Sequence, residues 1–183
     1  MNNNYELLLG KLDEFIRKYY LNKLIKGTLL FLALVFAYYL FASLFEYKLY
    51  FSPVVRKFIL ATFLIGTIST LCVWIFLPLF HFLKLGKTIS HEQAAQIIGT
   101  HFQNVKDKLL NILQLKNQSQ NAYNKELIEA SISQKIENIK LVPFSSAIQL
   151  AENKKYLKYV LPPIISVLAI FLIAPNIFKE SNK

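Results

Sequence analysis

Three stretches of this chain carry no Asp, Glu, Lys or Arg and are long enough to cross a lipid bilayer. They are Gly27 to Phe45 (19 residues), Phe58 to Leu83 (26 residues, with His81 near its end) and Tyr159 to Phe178 (20 residues). A helix needs about 20 apolar residues to traverse ~30 Å of hydrocarbon. Backbone N–H and C=O groups in lipid find no water, so each must be paired inside its own segment, and the runs are therefore expected to be helical. The residues left over are too few to cover three such helices in an aqueous core. The expected fold is all-α: an N-terminal helical hairpin, a third span, and about three short amphipathic helices between spans two and three. The divisions are 1–26 (amphipathic lead-in), 27–45 (span one), 46–57 (external loop), 58–83 (span two), 84–158 (cytoplasmic insertion), 159–178 (span three) and 179–183 (external tail).

The charges supply an orientation. Only 17% of residues are charged, against about one quarter in a soluble domain, yet the net charge is +10. Sixteen of the 21 basic residues lie in the N-terminal segment or in 84–158, and five lie in the first loop and tail. Cytoplasmic flanks of membrane spans are enriched in Lys and Arg. This predicts a cytoplasmic N-terminus and insertion, with the C-terminus on the periplasmic side of a bacterial inner membrane. Arg56 and Lys57, outside span two, run against this trend. The first span begins too far from Met1, and is too long, for a cleaved signal peptide. It reads as an uncleaved signal-anchor.

Local patterns refine the picture. Leu8, Leu12, Phe15, Ile16, Tyr19 and Leu24 recur at roughly helical spacing. That makes 5–26 an amphipathic helix, either lying on the membrane surface or extending span one into water. Tyr19, Tyr20, Tyr47, Tyr50, Tyr156 and Tyr159 flank the spans as headgroup-level aromatics would, and Tyr38 and Tyr39 sit deep enough to pack on another helix. In span two, Thr62, Gly66 and Thr70 (with Ser69), and in span one Ala33 and Ala37, present small residues at a spacing that favours close helix packing. Pro78 is placed to kink span two.

The insertion is 75 residues long, near the lower size limit for an independent core. The run SHEQ (Ser90 to Gln93) matches a capping box. Ala94, Ile98 and Phe102 follow, with Gly99 and Thr100 able to end or bend the helix. Asn104 offers a second cap ahead of Val105, Leu109, Ile112 and Leu113. Asn117 to Asn124 reads as a polar loop. A third helix with Leu127, Ile128, Ile132, Ile136 and Ile139 on one side runs to about Lys140, ahead of Pro143. Pro162 and Pro163 sit close to the start of span three and Pro175 near its outer end.

Chemistry-bearing constellations are sparse. The spans contain none of the ionised side chains that mark ion or proton pathways. His81 lies near an interface, where solvation or capping is the ordinary role. His91 and His101 stand ten apart, which is not a metal-ligand spacing, and Cys72 is the only cysteine and lies mid-span. No phosphate loop or nucleophile elbow is present. No catalytic, cofactor-binding or metal-binding residue is assigned, and no enzyme activity is expected. The basic insertion fits membrane lipid headgroups and topology better than nucleic acid, because its charges are dispersed. No small-molecule substrate is evident.

TISHEQAAQIIGTHFQNVKDKLLNILQL (Thr88 to Leu115), LIEASISQKIENI (Leu127 to Ile139) and VPFSSAIQLAENKKYLKYVLPP (Val142 to Pro163) resemble one family. It comprises large Gram-negative envelope proteins of unknown function, and the likeness is to their N-terminal membrane portion. PFSSAI (Pro143 to Ile148) is its most specific part. The resemblance implies three early spans followed by a long periplasmic region rich in coiled coil, so the chain is expected to be a fragment or truncated form that normally continues beyond Lys183. It carries no site residues. The function expected is that of an inner-membrane anchor or scaffold with a protein partner. The alternatives are a membrane sensor or signalling subunit, or an accessory subunit of a transporter.

Overall fold

The computed structural model describes residues 3–83, 85, 88–119 and 125–173. Among them every regular element is helical: α1 (Asn3–Leu49), α2 (Pro53–Leu71), a π-turn (Cys72–Phe76), α3 (Leu77–Phe82), α4 (His91–His101), α5 (Gln103–Ser119), α6 (Lys125–Glu137), two 3-10 segments (Phe144–Ala147 and Leu150–Tyr156) and α7 (Leu157–Ile173). Three stretches, Asn4–Leu49, Pro53–Phe82 and Phe144–Ile173, contain helix long and apolar enough to cross a membrane. The polypeptide divides into two compact units, Met1–Tyr20 with Lys84–Gln149, and Leu21–Leu83 with Leu150–Lys183.

The first unit is a helical bundle whose first member is the start of α1. Leu8, Leu12, Phe15, Ile16 and Tyr20 are buried, as are Ala94, Ala95 and Ile98 of α4, Val105, Leu109, Ile112 and Leu113 of α5, and Ile132 and Ile136 of α6. The spacing 8, 12, 15, 16, 20 is one stripe of a 3.6-residue helix. The lead-in is an extension of span one, since α1 runs unbroken from Asn3 to Leu49, but its exposure to a membrane surface or to water is corrected. Its apolar face meets neither lipid surface nor water, because the insertion helices supply a protein surface to bury it. Residues 84–158 alone are near the limit for a stable core, and the α1 segment makes up the deficit. Tyr20 is likewise a core residue rather than a headgroup-level ring: its hydroxyl accepts a hydrogen bond from the Ile89 N–H at 3.1 Å.

Three local expectations change. Leu127 is 70% exposed. It stands five residues before Ile132, which turns it roughly 140° away from the buried row at 100° per residue. Asn104 does not cap α5, which begins one residue earlier, directly after Phe102 at the C-cap of α4. Gly99 does not end α4, and it lets the α4–α5 corner close: a Cβ there would lie 2.5 Å from the Lys106 Cβ. The polar run Asn117 to Asn124 lies partly inside α5 and partly outside the described residues. Pro143 does not directly end α6, because turns at 138–141 intervene.

The second unit contains the apolar runs. Its helices leave large side chains uncovered within the protein, among them Phe58 at 71% and Leu172 at 79% exposed. A water-soluble surface seldom presents contiguous apolar area on that scale, whereas a lipid-facing surface must. Helix outlasts the uncharged runs: α1 continues to Leu49, so only 50–52 interrupt the hairpin instead of the twelve residues expected. Tyr50 takes the left-handed conformation at the turn (φ 47°), and Pro53 opens α2 at a position where a missing N–H costs nothing. Glu46 and Arg56 close the turn with an ion pair of 2.6 Å.

Within the hairpin, Tyr38 Oη donates toward the Ile59 carbonyl at 3.1 Å and lies 2.8 Å from Thr62 Oγ1, and its ring contacts Phe63. Of the small-residue stripe, Thr62 therefore meets α1, but Gly66 does not, since a Cβ there would touch nothing within 4 Å. The close approach is at Gly27, where a Cβ would lie 2.1 Å from the Trp74 carbonyl oxygen. Pro78 stands four residues beyond this carbonyl. It lacks the N–H that would bind the carbonyl four residues earlier, at Trp74, and its ring crowds that carbonyl. The helix widens into the π-turn Cys72–Phe76 just ahead of the proline, the response by which an α-helix absorbs such a defect. Pro162 and Pro163 lie inside α7, so the carbonyls of Lys158 and Tyr159 lose their helical donors at the lysine-rich end of that helix. Pro175 lies outside the described residues.

Two outcomes are expected. Gly27→Ala destabilises the hairpin by about 1–3 kcal/mol, the cost of overpacking against backbone, while Gly66→Ala is neutral or stabilising, as measured by unfolding in mild detergent. Phe15→Ala destabilises the bundle by about 3–5 kcal/mol, while Leu127→Ala changes it by less than about 0.5 kcal/mol, as read from amide exchange across α4 to α6.

Candidate functional site

The part of the protein best suited to meet an aqueous partner is the bundle of the first unit, and its surface is built from helix ends and long polar side chains. Ser90 caps α4 as its sequence requires. Its hydroxyl accepts from the Gln93 N–H at 3.2 Å, and the Gln93 side chain accepts from the Ser90 N–H at 3.0 Å. Glu92 follows in the first turn, where the helix dipole favours an anion. The hydrogen bond with Ser90, then its own backbone N–H and the adjacent His91, hold its carboxyl below the usual carboxylate range. Tyr5 of α1 moves the other way: burial first, and then the Glu92 charge, raise its phenol. His91 Nε2 lies 3.0 Å from Asp13 Oδ1, so α4 is tied to α1 through this pair.

The segment PFSSAI closes the bundle. Phe144, Ala147 and Ile148 are buried. Lys18 Nζ donates to the Ser145 carbonyl at 2.8 Å, Lys11 donates to the Lys140 carbonyl, and the Lys11 ammonium stands over the Phe144 ring at 5.8 Å. Lys11 and Lys18 are seven apart, hence on one side of α1. Two lysines that a topology count treats as bulk positive charge thus have specific structural partners. The only sign of this in the sequence is their shared helical face.

The α5–α6 face carries a surface depression of about 330 Å³ lined by Asp107, Lys108, Asn111, Lys135 and Asn138. Lys135 Nζ donates to Asn111 Oδ1 at 2.6 Å, and Lys116 pairs with Glu129 at 3.4 Å. A small-molecule site is ordinarily a concave, mostly apolar cleft that encloses its ligand. This one is open, formed by the stems and heads of charged and amide side chains, and does not enclose a ligand.

The remaining candidates do not converge. His91 is taken up by Asp13, while His101 contacts its neighbour Thr100 at 3.0 Å. Cys72 opens the π-turn in the apolar unit. Among the described residues no three of His, Cys, Asp and Glu group as a metal site would require. No protein-family model, curated protein or solved structure matches this chain.

Glu92 gives a pH prediction. Its pKa is lower folded than unfolded, so its contribution to α4 is complete above the ordinary carboxylate pKa and is lost as pH falls through the depressed value. The protection of the Ala94 and Ala95 amides, taken relative to their intrinsic exchange at each pH, is expected to fall by about two- to fivefold over that acid range, the scale of a helix-terminal charge effect. Glu92→Gln should abolish this component.

Proposed function

We propose that the protein is a multi-pass anchor of the bacterial inner membrane whose cytoplasmic helical bundle is a docking module for a protein partner. The observation that carries the reading is that the bundle's first helix and the first apolar span are one uninterrupted helix, α1, of 47 residues. A module whose first helix runs on in sequence into the span needs no intervening linker. The charge distribution supports a cytoplasmic N-terminus and bundle. Arg56, the main counter-example, is paired with Glu46, which reduces its weight as an orienting charge. The resemblance to N-terminal membrane portions of Gram-negative envelope proteins points in the same direction.

The continuous α1 also favours a second reading, a sensor in which a shift of a span is passed to the bundle. In the anchor reading, a photo-crosslinker at Leu127 or Asn138 captures the same protein in cells under all conditions, and a reporter fused after Lys183 is active only outside the cytoplasm. Capture that appears only with an external stimulus favours the sensor. No specific capture at either position, with the bundle intact by amide exchange, refutes the docking module.

A further inference from the structure

We infer that α1 and the 3-10 segment ahead of α7 form a site for the phosphate headgroup of an anionic phospholipid. The part of α1 beyond Leu21 and this segment both belong to the second unit. Asn153 is 5% exposed, and its Nδ2 donates to Asn22 Oδ1 at 2.6 Å. This buried amide pair fixes the two elements against each other. Lys26, four residues beyond Asn22 on α1, and Lys155, the chain neighbour of Tyr156, both approach one ring: their ammonium groups stand 5.2 and 5.6 Å from the centre of Tyr156. Lys158 lies 4.9 Å from the centre of Tyr159 in the next turn.

Five lysines (Lys23, Lys26, Lys154, Lys155 and Lys158) gather at this end of the spans, all with exposed side chains. Glu152 stands beside them, 3.6 Å from Lys155. Topology requires basic residues near the ends of spans, but it does not require cations from two elements to share one aromatic ring. Like charges brought together repel, and a phosphodiester anion between them relieves that repulsion. Tyrosines at the start of an apolar helix sit at headgroup depth, where basic pockets between spans hold anionic lipid. The ligand chemistry is a phosphate, and its source is the lipid headgroup, because the ring and lysines adjoin an apolar helix that an acyl chain can line.

The test uses the full chain in detergent micelles supplied with phosphatidylglycerol or phosphatidylcholine, with bound lipid counted by native mass spectrometry. The wild type should retain phosphatidylglycerol in preference. Lys26→Gln with Lys155→Gln should lower that retention by about tenfold. Asn153→Ala, which changes no charge, should lower it too. Lys48→Gln with Lys57→Gln, the same charge change at the other end of the hairpin, should leave it unaltered. Equal loss in the two double variants, an unaffected Asn153→Ala, equal retention of phosphatidylcholine, or displacement of the lipid by inorganic phosphate overturns the site. Flotation of the wild type with phosphatidylcholine vesicles tests membrane insertion separately; insertion with no lipid preference sinks the site and leaves the anchor reading standing.

Discussion

Everything in this protein depends on α1 serving two solvents with one backbone. From Leu8 to Tyr20 its buried stripe needs other helices around it, and from Gly27 to Phe45 it is uncharged on every side, packing one side on the returning chain and leaving much of the rest uncovered. A helix can change surroundings this way because its hydrogen bonds are internal. The side chains alone decide what lies outside. The bundle depends on the first stretch, since α4, α5 and α6 bury their rows against each other and share a core with Phe15, a fully buried aromatic of that core. The hairpin depends on the second, since Gly27, Tyr38 and Glu46 all contact the returning chain.

Those contacts also show how a membrane hairpin gains specificity where apolar burial does not drive association. Lipid tails are as apolar as leucine, so close backbone approach and hydrogen bonds do the discriminating. Pro78 offers no N–H to the Trp74 carbonyl four residues before it, and the absence of a side chain at Gly27 lets α1 come against that carbonyl. Cys72–Phe76 absorbs the resulting mismatch as a π-turn. Neither residue alone would mark this place.

Positive charge has more than one role. Lys11 and Lys18 satisfy carbonyls that close the bundle, and Lys26 and Lys155 share the Tyr156 ring. The same residues belong to the basic excess of segments 1–26 and 84–158. Topology counts charges by segment, and is therefore blind to which carbonyl or ring each ammonium meets.

Much of the architecture was legible without coordinates. Length and lack of charge specify the apolar helices, because lipid admits no other backbone solution over such runs. Ser90 and Gln93 announce a helix start through chemistry confined to four residues, and the rows 105, 109, 112, 113 and 132, 136, 139 mark buried faces by periodicity alone. What the sequence could not determine was which surface covers which. It left the face of residues 8–20 without an owner, pointed to Gly66 rather than Gly27 as the point of close approach, and assigned Leu127 to a row it does not join. Each of these depends on partners distant in sequence. Periodicity records that a side chain is apolar and on a given side, whereas only the tertiary arrangement brings the opposing residue, such as the Trp74 carbonyl at Gly27, into place.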